Sequence, residues 1–202
     1  MDMKERILAE SGALFAKYGI RSMTMDALSE EMRISKRTIY EHFKDKDTLL
    51  IEVIKNFKLQ QTKEAHKIIE ESENAIEAMF RIMRRSVQMM KQMNPAFFHD
   101  ISKYHSRTFK ELATHSDIRD FKVTLNLLET GVKQDIFRSE LNIDIVNRTL
   151  HELFNLFSPE SSLTQADYHR KDLFDNIIIP YFRGISTDKG VKQIDNCKSI
   201  LE

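Results

Sequence analysis

Scarcity sets the first limits on this 202-residue chain, which holds 1 Cys, 3 Pro, 5 Gly and no Trp. The lone thiol, Cys197, cannot form an intramolecular disulfide, so a reducing compartment, the cytoplasm, is expected. So little Gly and Pro, against abundant Leu, Ile, Met, Glu and Lys, argues against turn-rich β architectures. No apolar run approaches the roughly 18 residues of a membrane span; Ile177 to Ile179 ends at Pro180. The opening MDMKERILAE lacks the apolar core and small-residue cleavage site of an export signal, so no export is expected. Net charge is absent too: 31 Lys and Arg balance 31 Asp and Glu. Any polyanion must therefore be met by a local basic patch.

Catalytic patterns are equally scarce. Of 7 His, His99 and His105 fit neither an HExxH motif nor a facial carboxylate set. Ser161-Ser162 has no nucleophile-elbow context, and no glycine-rich phosphate loop or dinucleotide fingerprint occurs. No enzyme, cofactor or metal is expected. Asn147-Arg148-Thr149 matches a glycosylation acceptor, a chance match in a chain with no sign of secretion.

What is present is helical periodicity. Ile7, Leu8, Ser11, Leu14, Phe15 and Tyr18 recur at steps of three and four, with Gly19 where a helix would stop. Thr24 is placed to cap a second helix carrying Ala27, Leu28 and Met32, and Ser35 a third carrying Ile39, Tyr40 and Phe43. Asp45 or Asp47 caps a fourth, with Leu49, Leu50, Val53, Ile54 and Phe57 on its buried face and a polar continuation to Glu71. Ile76, Met79, Phe80, Met83, Val87 and Met90 stripe a fifth.

Asn94-Pro95 restarts a short helix with Phe97, Phe98 and Ile101. A long pattern runs through Phe109, Leu112, Ile118, Phe121, Leu125, Leu128, Val132 and Ile136, with a break expected near His115-Ser116. Asn142 caps a helix with Val146, Leu150, Leu153, Phe154 and Phe157 on one face; Ser158 to Ser162 reads as a loop. The last helix holds Phe174, Ile177, Ile178, Tyr181, Phe182 and Ile185, kinked at Pro180. The expected class is all-α. A three-helix N-terminal domain over residues 1–48 is followed by a larger bundle over 49–185 and a polar tail over 186–202.

The informative stretch is TMDALSEEMRISKRTIYEHFKDKDTLL, Thr24 to Leu50. It reads as two short helices crossed at a tight turn, with Ala27, Leu28 and Met32 against Ile39 and Phe43. Lys36, Arg37, Thr38, Tyr40, Glu41 and His42 are left outward on the second helix. A short helix with a cationic, hydroxylic N-terminal end suits a DNA major groove. Its N-terminal dipole adds attraction for phosphate.

Here the chain resembles the TetR family of bacterial regulators. Thr24, Leu28, Ser29, Ile34, Ser35, Ile39, Tyr40, Phe43, Lys46 and Leu49 stand in the register of the family's signature, with Ala13-Leu14-Phe15 and Gly19 matching its first helix. The resemblance implies that Tyr40 and Lys46 contact backbone phosphates. Thr24 and Ser35 would touch phosphate besides capping, and Lys36, Arg37, Thr38 and His42 are candidates for base or phosphate contacts. Two departures stand out. Arg33 occupies a turn position where the family often has Gly, at a cost of roughly 1 kcal/mol if left-handed. Ser29 replaces a usual Ala, where its hydroxyl can bond back to a helical carbonyl.

The resemblance further implies a homodimer formed through the last two helices around an effector pocket. Phe154, Phe157, Ile177, Ile178, Tyr181 and Phe182 offer apolar faces for that dimer, or else seal the monomer core. Phe80, Met83, Val87, Met90, Phe98, Phe121 and Leu125 are pocket candidates for an apolar effector, and His99, Tyr104 and His105 polar selectors. The expected function is an effector-responsive repressor of a pseudo-palindromic operator. The alternative is a helical small-molecule carrier with a vestigial DNA-binding domain.

Overall fold

The computed structural model describes residues 2–104, 121–158, 161–166 and 168–201. Among them the fold is all-α; the one pairing of extended backbone is an isolated antiparallel bridge between Phe137 and Ser186. The helices group into two compact units. One takes Met1–Gln61 and Lys91–Arg119, the other Thr62–Met90 and Asp120–Glu202.

In the first unit, α1 (Met3–Tyr18) starts in a reciprocal cap. Glu5 donates its N–H to Asp2 Oδ1 at 2.7 Å, and Asp2 donates its own to Glu5 Oε2 at 3.0 Å. It ends at Gly19, whose φ of 84° is open to glycine alone without strain. Two short helices follow, α2 (Met25–Met32) and α3 (Lys36–His42), then the long α4 (Lys46–Glu70). Asp45 is the residue that caps α4, accepting the Thr48 N–H at 2.8 Å. Ile7, Phe15, Leu28, Met32, Ile39, Phe43, Leu49 and Leu50 form one buried core. Burying each such side chain is worth roughly 1.5–3 kcal/mol. The core ends at Ile54; Phe57, expected on the buried face, is 41% exposed because the 25-residue α4 outruns the short helices packed on its start.

Helix α6 (Pro95–Tyr104) belongs to this unit. Asn94 caps it through Oδ1, which accepts the Ala96 N–H at 2.9 Å. The same residue ties it to the end of α1, donating its backbone N–H to Ala16 O at 2.8 Å and Nδ2 to Lys17 O at 3.1 Å.

The second unit contains most of α5 (Ala75–Gln92), α7 (Phe121–Lys133) and α8 (Ile143–Asn155), the short α9 (Ser162–Gln165) and α10 (Arg170–Leu173), then α11 (Ile179–Ile185) and α12 (Asp188–Cys197). Asn142 caps α8 by accepting the Ile145 N–H at 3.2 Å. Between α10 and α11 the chain widens into a π turn over Phe174–Ile178, closed by Ile179 N–H to Phe174 O. That extra residue per turn sits just before Pro180, whose missing N–H and bulky ring disfavour an ordinary turn.

Two expectations need correction, and of two alternatives left open for a set of apolar residues one applies to three of them. Ile136 does not extend α7: Asp135 is left-handed at φ 57°, and Ile136 is turned into the core beyond the helix end. The segment read as a polar tail instead carries α12 and a 3₁₀ turn (Lys198–Leu201), with Ile194 fully buried. Thr187 anchors it, donating its N–H to Ile136 O at 3.0 Å while its side chain accepts from Gly190 N–H at 3.2 Å. Finally, Phe157, Ile178 and Phe182 are at most 1% exposed and close this unit's own core; Phe154, Ile177 and Tyr181 are half-buried against it.

Candidate nucleic-acid interface

The site begins with two caps and a turn. Thr24 Oγ1 accepts the Ala27 N–H at 3.1 Å, and Ser35 Oγ accepts the Thr38 N–H at 3.0 Å. Each satisfies a donor that a helix start leaves unpaired. Between them Arg33 is left-handed, at φ 55° and ψ 43°, and its N–H returns to Glu30 O and Ser29 O. Ser29 bonds back to Asp26 O at 2.7 Å, as its substitution for Ala suggests. Leu28, Met32, Ile39 and Phe43 hold α2 and α3 crossed from beneath.

The outer face of α3 carries the chemistry. Lys36, Arg37, Tyr40 and His42 are exposed; Thr38 is half-buried, 2.8 Å from the Ser35 hydroxyl. Tyr40 is 45% exposed, unusual for a ring of that size, and Lys36 Nζ lies 6.0 Å from its centroid. Both cations of the helix are ion-paired: Lys36 with Asp26 at 2.5 Å, and Arg37 with Glu41 at 3.0 Å. The Asp26 hydrogen bond holds the Lys36 ammonium above the ordinary lysine range. Lys46 opens α4 and is half-buried. Burial pulls its ammonium below the usual range, opposed by the carboxylates of Asp100 and Asp47. All eight residues singled out as DNA contacts thus lie on α3, at the caps of α2 and α3, or at the first position of α4. Glu41 stands four residues after Arg37, a spacing that pairs side chains on one helix face, whereas Asp26 comes from the neighbouring helix and had no local signal.

The effector candidates are not gathered in this way. Phe80, Met83 and Val87 are buried core of the second unit, Phe80 in edge contact with Phe182 at 5.2 Å. Met90 is half-buried against that core, and Leu125 is half-buried on α7. Phe121 packs against the His151 ring, tilted, with centroids 4.3 Å apart. Phe98 belongs to the first unit and packs on Phe97 at 5.7 Å. His99 is exposed on α6; His105 and the side chain of Tyr104 lie outside the described residues, as do Phe109, Leu112 and Ile118.

A polar cluster that sequence reasoning missed stands beside Phe121. Thr124 Oγ1 donates to Asn147 Oδ1 at 2.6 Å and lies 2.8 Å from His151 Nε2; Asn147 Nδ2 donates to Phe121 O at 2.8 Å. Asn147 is 1% exposed, which removes it as a glycosylation acceptor. A cavity of about 90 Å³, lined by Ile69, Ser72, Asn74, Ala78, Leu127 and Thr130 among others, contains none of the seven effector candidates. It is well below the ~300 Å³ at which small-molecule sites begin. Among the described residues no helix is long and apolar enough to cross a membrane, and no group of three His, Cys, Asp or Glu could hold a metal.

Comparison with known proteins agrees with this geometry. Residues 7–53 match the family model described as bacterial regulatory proteins, tetR family. Over 190 residues the chain is 27% identical to the HTH-type transcriptional regulator YvaF of Bacillus subtilis, covering 93% of this chain and 97% of that one. It is 21% identical over 153 residues to the HTH-type transcriptional repressor KstR2 of Mycolicibacterium smegmatis, covering 74% of each. Among solved structures it is similar to the transcriptional repressor FadR of Thermus thermophilus in complex with lauroyl-CoA. That match has a TM-score of 0.60 at 14% identity and covers 87% of this chain and 92% of that one.

Proposed function

This chain belongs to the TetR family of DNA-binding transcriptional regulators, and on that premise we propose that it is a cytoplasmic repressor that binds a pseudo-palindromic operator as a homodimer and releases it on binding an apolar effector. The observation that carries the DNA reading is α3 itself: Lys36, Arg37, Tyr40 and His42 outward on a seven-residue helix, capped at Ser35 and locked from beneath by Ile39. Tyr40 and Lys46 engage phosphates and fix register, while Lys36, Arg37, Thr38 and His42 meet base edges or phosphate. In a two-fold dimer the two copies of α3 address half-sites about 34–36 Å apart.

Dimerisation is assigned to α8 and α11. Ile145 is 61% exposed on α8, and Pro180 and Gly184 are exposed on α11, with open space where a Cβ would stand on Gly184. Tyr181 links the two helices, its hydroxyl donating to Val146 O at 3.0 Å. An isologous contact needs such a patch, apolar and able to approach itself closely. An apolar effector is supported by the Met-rich α5 and by the acyl group that the similar repressor FadR holds. The Thr124, Asn147 and His151 cluster supplies polar selection.

The test is selection of the purified chain against a randomised duplex library at one stated, moderate salt concentration. A palindromic motif, lost in Tyr40→Ala, establishes the dimeric reader. A folded dimer that enriches nothing sinks it and leaves the carrier reading.

A further inference from the structure

We propose that Asp100 is a positioning residue of the DNA-binding surface, its buried carboxylate holding the main chain of the turn between α1 and α2 through the Arg21 N–H. Asp100 lies on α6, 79 residues from Arg21, and is 6% exposed. Its Oδ2 accepts the Arg21 N–H at 2.7 Å, a short charge-assisted bond. Three residues after Arg21 the chain reaches Thr24, the cap of α2 and a candidate phosphate contact. A buried carboxylate is costly unless bonded, so its placement here demands donors, and the turn's backbone supplies one.

The surroundings are shaped to admit that carboxylate. A Cβ on Gly19 would stand 3.3 Å from Asp100 Oδ2 and 3.1 Å from Ala96 Cβ, and the φ of 84° excludes a side chain independently. At the cap of α6, Asn94 bonds Ala16 O and Lys17 O. Residues 94–100 thus close the C-terminal end of α1 at two carbonyls and fix the chain that leaves it at one N–H. Asp100, 6% exposed, therefore acts on the approach to α2 without itself reaching DNA. The proposal rests on the DNA-binding reading above.

The experiment uses the full chain, the duplex enriched by the wild type, and amide hydrogen exchange on the protein alone. Asp100→Ala is expected to speed exchange at Arg21 and to weaken DNA binding, each by about tenfold. Asp100→Asn keeps an oxygen acceptor and should retain Arg21 protection, with affinity within about threefold of wild type. That rescue separates positioning by a hydrogen bond from a through-space charge effect, in which Asn and Ala would behave alike. Should Asp100→Ala fail to fold, Asp100→Ser, polar but too short to reach Arg21, stands in with the same expected losses. Unchanged Arg21 exchange or unchanged affinity in the Ala or Ser variant overturns the proposal, as does an Asn variant no better than Ala. A folded wild type that binds no duplex overturns the DNA reading and this inference together; a binding wild type with an indifferent Asp100→Ala overturns this inference alone.

Discussion

Lys36 Nζ lies 2.5 Å from Asp26 Oδ1, joining α3 to α2 across the turn that Arg33 makes. With Arg37 on Glu41, both cations of the candidate recognition helix are neutralised by the protein's own carboxylates. The outward face is therefore less cationic than its sequence suggests, and a phosphate or a base edge must displace a carboxylate to engage either side chain. Asp26→Asn should raise affinity several-fold for selected and random duplex alike, read by fluorescence anisotropy. Because its partner holds the Lys36 ammonium above the ordinary lysine range, that side chain keeps its charge throughout neutral pH. The gain should accordingly not vary with pH there. Equal or weaker binding by Asp26→Asn would mean that the pair positions Lys36 rather than restraining it.

Lys46→Ala and Arg37→Ala should fail differently. Losing a phosphate contact weakens all sequences evenly and lowers the slope of log affinity against log salt by about one. Losing a base contact relaxes preference at one operator position by about 1–3 kcal/mol. Salt titrations of both variants on the operator and on its single-base mutants separate the two roles.

Arg33 at φ 55° pays a backbone cost that Gly would not. Arg33→Gly should stabilise the N-terminal unit by about 1 kcal/mol, and Thr24→Ala should destabilise it by about the same amount. Urea unfolding followed by helical circular dichroism measures both. An Arg33→Gly variant no more stable than wild type would show that the side chain compensates for its conformation.

Gly190 admits no side chain: a Cβ there would stand 2.2 Å from Ile136 O, a backbone atom that cannot swing aside. Gly190→Ala should therefore release α12 from the second unit, at a cost of roughly 1–3 kcal/mol. Faster amide exchange over 188–201, with the rest of the chain unchanged, is the expected signature.

Asp45 accepts the Thr48 N–H at 2.8 Å, which holds its carboxyl below the ordinary range. The sign follows from that direction: the cap is fully made above the unfolded carboxyl's range and is lost as pH falls through the lower, folded value. Exchange at the Thr48 amide should lose its protection in that acid window, and Asp45→Asn should abolish the pH dependence.

Much of the N-terminal unit was legible because its determinants are local. The Gly19 stop, the Thr24 and Ser35 caps and the apolar spacing from Leu28 to Leu50 each act within one or two turns. A left-handed residue at Arg33 could likewise be expected from the turn that Ser35 follows. The misreadings lie where distant residues decide. Thr187 caps α12 locally and Val191, Ile194 and Leu201 keep helical spacing within a polar segment, but its docking is decided where Thr187 and Gly190 meet the backbone of Asp135 and Ile136, more than fifty residues earlier. Phe57 continues a faultless apolar stripe into solvent because its neighbours end before α4 does.

The sequence alone therefore determined the helical class, the caps and the face that α3 turns outward, since spacing and end chemistry dictate these over a few residues. Tertiary structure decided that Lys36 is bonded to Asp26, and which apolar residues close a core rather than await a partner. It also set Asp100 against the Arg21 amide. Those outcomes depend on approach between segments tens of residues apart, where a hydrogen bond or a missing Cβ selects a neighbour that no local pattern encodes.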